Sequence, residues 1–207
     1  MKNPRLALLQ TYPFEKLRAL LAGVRANEAL SPINISIGEP KHPTPALVRD
    51  AFIDGLDGLA SYPATAGARD LRVAIADWLR LRYGIEKIDP ETQVLPVNGS
   101  REALFSFAQT VIDPGAPGKI ALPNPFYQIY EGAALLAGAI PVYLNTVREN
   151  GFRLPLDSLT EQEWAEVRMI YVCSPANPCG NAMQIGEWQR LFALSDRHGF
   201  TIASDEC

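Results

Sequence analysis

KIALPNPFYQIYEGAALLAGAIPVYL, Lys119 to Leu144, holds two short apolar runs around a helical stretch. Lys119–Leu122 and Ile140–Leu144 have the length and apolar character of strands, and Tyr127–Ala137 between them reads as a helix. Outward from this unit the alternation continues. Strands are expected at Thr92–Val97, Arg168–Cys173 and Thr201–Ser204, and helices at Ser100–Val111, Leu156–Glu166 and Gly186–His198. Strand and helix in turn predict an α/β layer fold with a mainly parallel sheet. Such sheets bind ligands outside the carboxyl ends of their strands, so the residues just after each strand are the ones to examine.

Upstream the pattern is helical and broken by loops. Glu15–Ala26 places Leu17, Leu20, Leu21 and Val24 on one face. SPINISIGEPKHPTP, residues 31–45, is too rich in Pro and Gly for a regular helix. Thr44 reads as an N-cap with Pro45 at the first helical position, opening a helix to about Leu56. After the loop GLASYPATAG, residues 58–67, a stripe of Leu71, Ala74, Ile75, Trp78 and Leu79 marks a helix from Arg69 that Gly84 ends.

The 207 residues are 47% hydrophobic and 20% charged, ordinary for a globular chain with a sizeable core. A net charge of −4 without a basic stripe argues against nucleic acid as a partner. No run of about 18 apolar residues suggests a membrane span. The start, interrupted by Pro4 and Pro13 and then charged, does not read as a signal peptide, so a cytoplasmic location is expected. Cys173, Cys179 and Cys207 are odd in number and form no Cys-x-x-Cys pair, and His42 and His198 stand apart, so neither a disulfide framework nor a metal site is expected.

Four post-strand segments carry groups suited to chemistry. In Val97-Asn98-Gly99-Ser100-Arg101-Glu102, Gly99 permits a tight turn, Ser100 is placed to cap a helix, and the free N–H groups there favour an anion such as phosphate; a plain helix cap is the simpler reading. No Walker A or GxGxxG pattern occurs. Pro123-Asn124-Pro125-Phe126-Tyr127 offers a ring to lie flat over a planar ligand, or merely core aromatics. Ser174-Pro175-Ala176-Asn177-Pro178-Cys179-Gly180 holds Asn177 in a loop shaped by two prolines and a glycine, or is only a turn. Asp205, at the end of an apolar strand, calls for a cation such as a protonated pyridine nitrogen unless it is solvated at the terminus. Each signal is weak alone, but all four fall in order after successive strands and converge on one crevice.

This combination resembles the class I/II aminotransferases, pyridoxal 5′-phosphate (PLP) enzymes of fold type I. Asn177-Pro178-Cys179-Gly180 is similar to the family's Asn-Pro-Thr/Ser-Gly signature and Ser204-Asp205-Glu206 to its Asp-Glu-x-Tyr segment. The opening NPRLALLQTYPFEKLRALLAG with SIGEPKHPTP looks like the proteobacterial N-succinyldiaminopimelate aminotransferase branch. The resemblance implies residues 1–45 as an N-terminal arm and small-domain segment, and 46–207 as an incomplete PLP-binding large domain. It implies that Gly38 offers its N–H to the substrate α-carboxylate and that Tyr62 reaches the cofactor phosphate of a neighbouring subunit in a homodimer. It further implies that Ser100 and Arg101 hold the phosphate, Tyr127 stacks on the pyridine ring, Asn177 bonds O3′ and Asp205 pairs with N1. The substrates implied are an amino acid and a 2-oxo acid.

Two departures stand out. Cys179 replaces the family's Thr or Ser. None of the lysines, Lys2, Lys16, Lys41, Lys87 and Lys119, lies in the family's Ser-x-x-Lys context, and all precede Asp205. The chain is therefore expected to lack the Schiff-base lysine and to be catalytically incomplete. The family's order also places two further strands between Thr92–Val97 and the rest of the sheet, so a gap and a marginally stable chain are expected. Alternative readings are an aspartate- or alanine-type aminotransferase and a non-catalytic remnant.

Overall fold

The computed structural model describes residues 2–206. Two compact units divide the chain: one combines the segment up to Leu17 with Val97 onward, the other is Arg18–Pro96. The boundary falls within the first helix, α1 (Pro13–Leu21), which is shorter than Glu15–Ala26 at its end and starts on a proline.

The larger unit carries a four-stranded parallel sheet of β1 (Lys119–Asn124), β2 (Ile140–Asn145), β3 (Val167–Cys173) and β4 (Thr201–Asp205), ordered β2-β1-β3-β4. All four strands were expected, each a residue or two shorter. Side chains alternate between the two faces. Ile120, Leu122, Met169, Tyr171 and Ala203 form one core with α4 (Ser100–Val111) and α5 (Gln128–Ala137). Ala121, Ile170, Val172 and Ile202 form the other, closed by Trp164 of α6 (Glu161–Glu166) and Leu191 of α7 (Ile185–His198). Register sets the carboxyl ends side by side, Asn124 with Asn145 and Cys173 with Asp205, so post-strand residues share one edge.

Two expectations for this unit need correction. Leu156–Glu166 is not one helix: a 3-10 turn at Leu156–Ser158 is followed by a fresh start at Thr160. There the Thr160 hydroxyl accepts from Glu163 N and the Glu163 carboxylate accepts from Thr160 N, a reciprocal cap that begins α6 anew. Ser100 does not cap α4. Gly99 takes the cap position at φ 120°, ψ 139°, a backbone region open to glycine, and Ser100 becomes the first helical residue with its hydroxyl uncommitted to the cap.

The other unit contains α2 (Ala46–Asp54) and α3 (Arg69–Tyr83). Gly84 ends α3 in the left-handed conformation, as expected. The N-cap of α2 is Pro45 rather than Thr44, one residue later than the sequence suggested, and no side chain caps it. The strand expected at Thr92–Val97 is absent: the segment is turn and irregular backbone. Its start is drawn into a turn around Asp89, whose carboxylate accepts from Thr92 Oγ1 at 2.6 Å and Glu91 N at 3.0 Å, while Gln93 N donates to Asp89 O. Local side-chain bonds of this kind compete with strand pairing. They also hold the Asp89 carboxyl below the usual range, the Thr92 bond foremost.

Candidate functional site

Five of the expected site residues, Ser100, Arg101, Tyr127, Asn177 and Asp205, lie in the unit that carries the sheet. Gly38 and Tyr62 lie in the other; Tyr62 is 99% exposed and nothing approaches a Cβ built on Gly38. Tyr127, Asn177 and Asp205 lie at the carboxyl edge of the sheet, and Ser100 and Arg101 open α4.

At the start of α4, a 12-residue helix, the first N–H groups have no helical partner and the helix dipole is positive. Arg101 donates from Nη2 to Glu102 Oε1 at 2.7 Å on the surface. Glu102 first, then Tyr127, push the Arg101 guanidinium above its ordinary range, and Arg101 holds the Glu102 carboxyl below its own. Tyr127 is the N-cap of α5.

The post-β1 aromatics separate by packing. Phe126 stacks on Tyr143 with centroids 5.6 Å apart and joins the core. Tyr127 remains 36% exposed and meets Tyr130 edge-on at 5.8 Å. Of the two rings, Tyr127 is the one with an open face.

Asp205 ends β4. Its backbone carbonyl accepts from Ser174 N at 3.1 Å, which ties it to the loop carrying Asn177. That loop closes through Ala176 N to Asn181 O at 2.8 Å, and Gly180 takes φ 70°. Asn177 is exposed, and its amide makes no hydrogen bond among the described residues. Cys179 Sγ lies 3.8 Å from Thr146 Oγ1, so the thiol occupies a hydroxyl-facing position.

Tyr130 was missed by the sequence reading. It is 1% exposed, and its hydroxyl donates to Asp205 Oδ2 at 2.6 Å. Its ring stacks on Tyr171 at 4.5 Å and 12°, and the Tyr171 hydroxyl donates to Leu104 O at 2.7 Å. Burial, then the Asp205 carboxylate, push the Tyr130 phenol well above its ordinary range, so it stays a donor. The signal in the sequence was the spacing Tyr127–Tyr130, three residues apart at a helix start, which turns both rings toward one side.

The donor set suits PLP: helix-start N–H groups and an arginine for a phosphate, an open aromatic face for a flat ring, an exposed amide, and a carboxylate. One Asp205 oxygen is committed to Tyr130, and no hydrogen bond from the described residues reaches the other. This parallel sheet with a cofactor-suited carboxyl edge defines a partial fold type I domain. The sequence matches the family model for class I and II aminotransferases over residues 31–207, and the chain belongs to that PLP-dependent family. An aminotransferase from Neisseria meningitidis Z2491 superposes with a TM-score of 0.92 at 45% identity, over 100% of this chain and 52% of that one. The N-succinyldiaminopimelate aminotransferase of Mycobacterium tuberculosis aligns with a TM-score of 0.81 at 27% identity, over 100% and 52%. The LL-diaminopimelate aminotransferase of Syntrophobacter fumaroxidans is 32% identical over 99% of this chain and 52% of its own length. The chain thus spans about half the length of the curated relatives it matches. Among the described residues no helix is long and apolar enough to cross a membrane.

Proposed function

We propose that this chain forms the cofactor cradle of a cytoplasmic, homodimeric PLP aminotransferase. Its parent reaction moves an amino group between N-succinyl-diaminopimelate and 2-oxoglutarate, with glutamate as donor, in lysine biosynthesis. The observation that carries the reading is Asp205, a carboxylate at the carboxyl end of the edge strand with one oxygen tied to Tyr130. Bound PLP supplies an electron sink for the substrate carbanion. The chain's own residues bind and orient. Ser100 and Arg101 hold the phosphate at the start of α4. Tyr127 covers the ring, Asn177 donates to O3′, and Asp205 keeps a proton on N1, since an adjacent carboxylate favours a pyridinium. Gly38 serves the substrate carboxylate and Tyr62 the phosphate of the neighbouring subunit, with residues 1–45 as arm and small-domain segment and 46–207 as the cofactor-binding part.

In this reading none of the five lysines forms the Schiff base, so the chain holds PLP without completing the reaction. Titration with PLP followed by borohydride tests both halves. Saturable binding, displaced by inorganic phosphate and leaving no adduct at any one lysine, is expected. Absence of binding refutes the cradle, and a single trapped lysine refutes the incompleteness.

The 32% identity to an LL-diaminopimelate aminotransferase favours a second reading, in which the diaminopimelate substrate carries no succinyl group. Comparing kcat/KM for succinylated and free diaminopimelate in the parent enzyme separates the two, with the succinylated compound expected to win.

A further inference from the structure

We propose that Tyr130 is a positioning residue that aims Asp205 at the pyridine nitrogen of the cofactor, an inference that rests on the PLP reading above. The geometry leaves the Asp205 carboxylate with two different oxygens. Oδ2 accepts the Tyr130 hydroxyl at 2.6 Å, and no hydrogen bond from the described residues reaches Oδ1. A carboxylate held at one oxygen loses its rotation about the Cβ–Cγ bond and presents the other in a fixed direction.

Tyr130 is itself fixed on three sides. Its ring lies flat on Tyr171, which is anchored to Leu104 O of α4. Its edge meets Tyr127, the residue assigned to the cofactor ring. Its backbone N donates to Tyr127 O at 2.9 Å at the start of α5. Helix, strand and ring-covering tyrosine thus set the direction from which Asp205 is held.

Tyr130 therefore serves the pyridinium by aiming the acid. The phenol keeps its own hydrogen because burial opposes its ionisation.

The test uses ring-15N pyridoxamine phosphate, which binds without a lysine, on the full chain. Affinity and the 15N shift of N1 are read for the unsubstituted protein, Tyr130→Phe and Tyr143→Phe. Tyr143 also donates its hydroxyl to a carboxylate, Glu131, but that pair does not touch Asp205. Tyr130→Phe is expected to bind about tenfold more weakly, the scale of one hydrogen bond to a charged group. Its N1 signal is expected to move toward the neutral-pyridine position, with Tyr143→Phe unchanged in both readouts. Unchanged affinity and N1 signal in Tyr130→Phe overturn the proposal and leave the PLP reading standing. An equal N1 shift in Tyr143→Phe also overturns it, since the effect then reports general loosening. No saturable binding by the unsubstituted chain overturns the PLP reading itself. Should Tyr130→Phe fail to fold, 3-fluorotyrosine at 130, a stronger donor of nearly the same shape, is expected to move N1 further toward pyridinium. No movement there counts against the proposal.

Discussion

Gly99→Ala tests the link between backbone and site in one substitution. Gly99 sits at φ 120°, ψ 139°, away from the left-handed helical region that other residues visit. Holding an alanine in so sparse a region costs about 1–3 kcal/mol. A Cβ at this position would stand 2.9 Å from Glu102 Oε2, so the carboxylate must swing aside and loosen its pair with Arg101. That pair is exposed at both ends, and such pairs contribute about 0–1 kcal/mol. Backbone strain therefore sets the size of the effect. For a chain of this length it corresponds to a drop in Tm of about 2–4 °C per kcal/mol. Gly84→Ala is the control: Gly84 lies at φ 67°, with open space around its Cβ, and costs about 1–2 kcal/mol.

The two variants differ further in ligand binding. If the strained backbone at Gly99 relaxes, the first N–H groups of α4 turn away from where an anion would sit, and phosphate competition against PLP weakens. Gly84→Ala should leave that competition unchanged. The assays are a urea titration for stability and the displacement of bound PLP by inorganic phosphate for the anion site. An alanine at 99 that stays within about 0.5 kcal/mol of the parent, the range of an ordinary surface change, and keeps full phosphate competition refutes both the strain and the anion site.

Trp164→Ala should cost about 3–5 kcal/mol in urea denaturation, because Trp164 is 2% exposed, stacks on Phe200 at 5.2 Å and donates Nε1–H to Leu156 O; a loss below about 1 kcal/mol would contradict a packed core on that face of the sheet. Burial, then Glu131, push the Tyr143 phenol up to about 12 from an ordinary 10.0. The folded state thus holds this proton more tightly than the unfolded state. The resulting stability is complete below pH 10.0 and is lost as pH rises toward about 12. Tyr143→Phe should flatten the fall of the urea midpoint across that window, and an identical slope in both proteins would refute the shift.

The sheet was legible because each strand contains a short apolar run whose neighbours in space supply its hydrogen bonds. Thr92–Val97 had the same look, yet its polar start bonds to Asp89, and among the described residues no strand pairs with it. Composition registers apolar character but not whether a partner strand stands alongside. The helix at Leu156–Glu166 failed for a related reason: the periodicity is real, but the reciprocal cap of Thr160 and Glu163 starts the helix later. Caps were hardest to read, as at Ser100 and Thr44, because a one-residue shift in the start exchanges the capping residue for the first helical one.

At the site, the residues visible in the sequence were those that follow short apolar runs, and the residue that joins Tyr127 to Asp205 was not. Tyr130 looked like one more apolar position of α5, and burial at 1% fits that description. Its function lies in the hydroxyl, which reaches an acid 75 residues away in sequence. Such a pairing depends on the tertiary fold, which brings the end of β4 to a tyrosine of the helix that follows β1. The same topology explains why the contacts run Tyr127, Tyr130, Asp205, Ser174: each lies just after a strand end, on a helix start or at the adjoining edge. A change at Tyr130 therefore reaches both the acid and the ring-covering tyrosine. The N1 signal and the affinity should move together in Tyr130→Phe for this reason rather than one without the other.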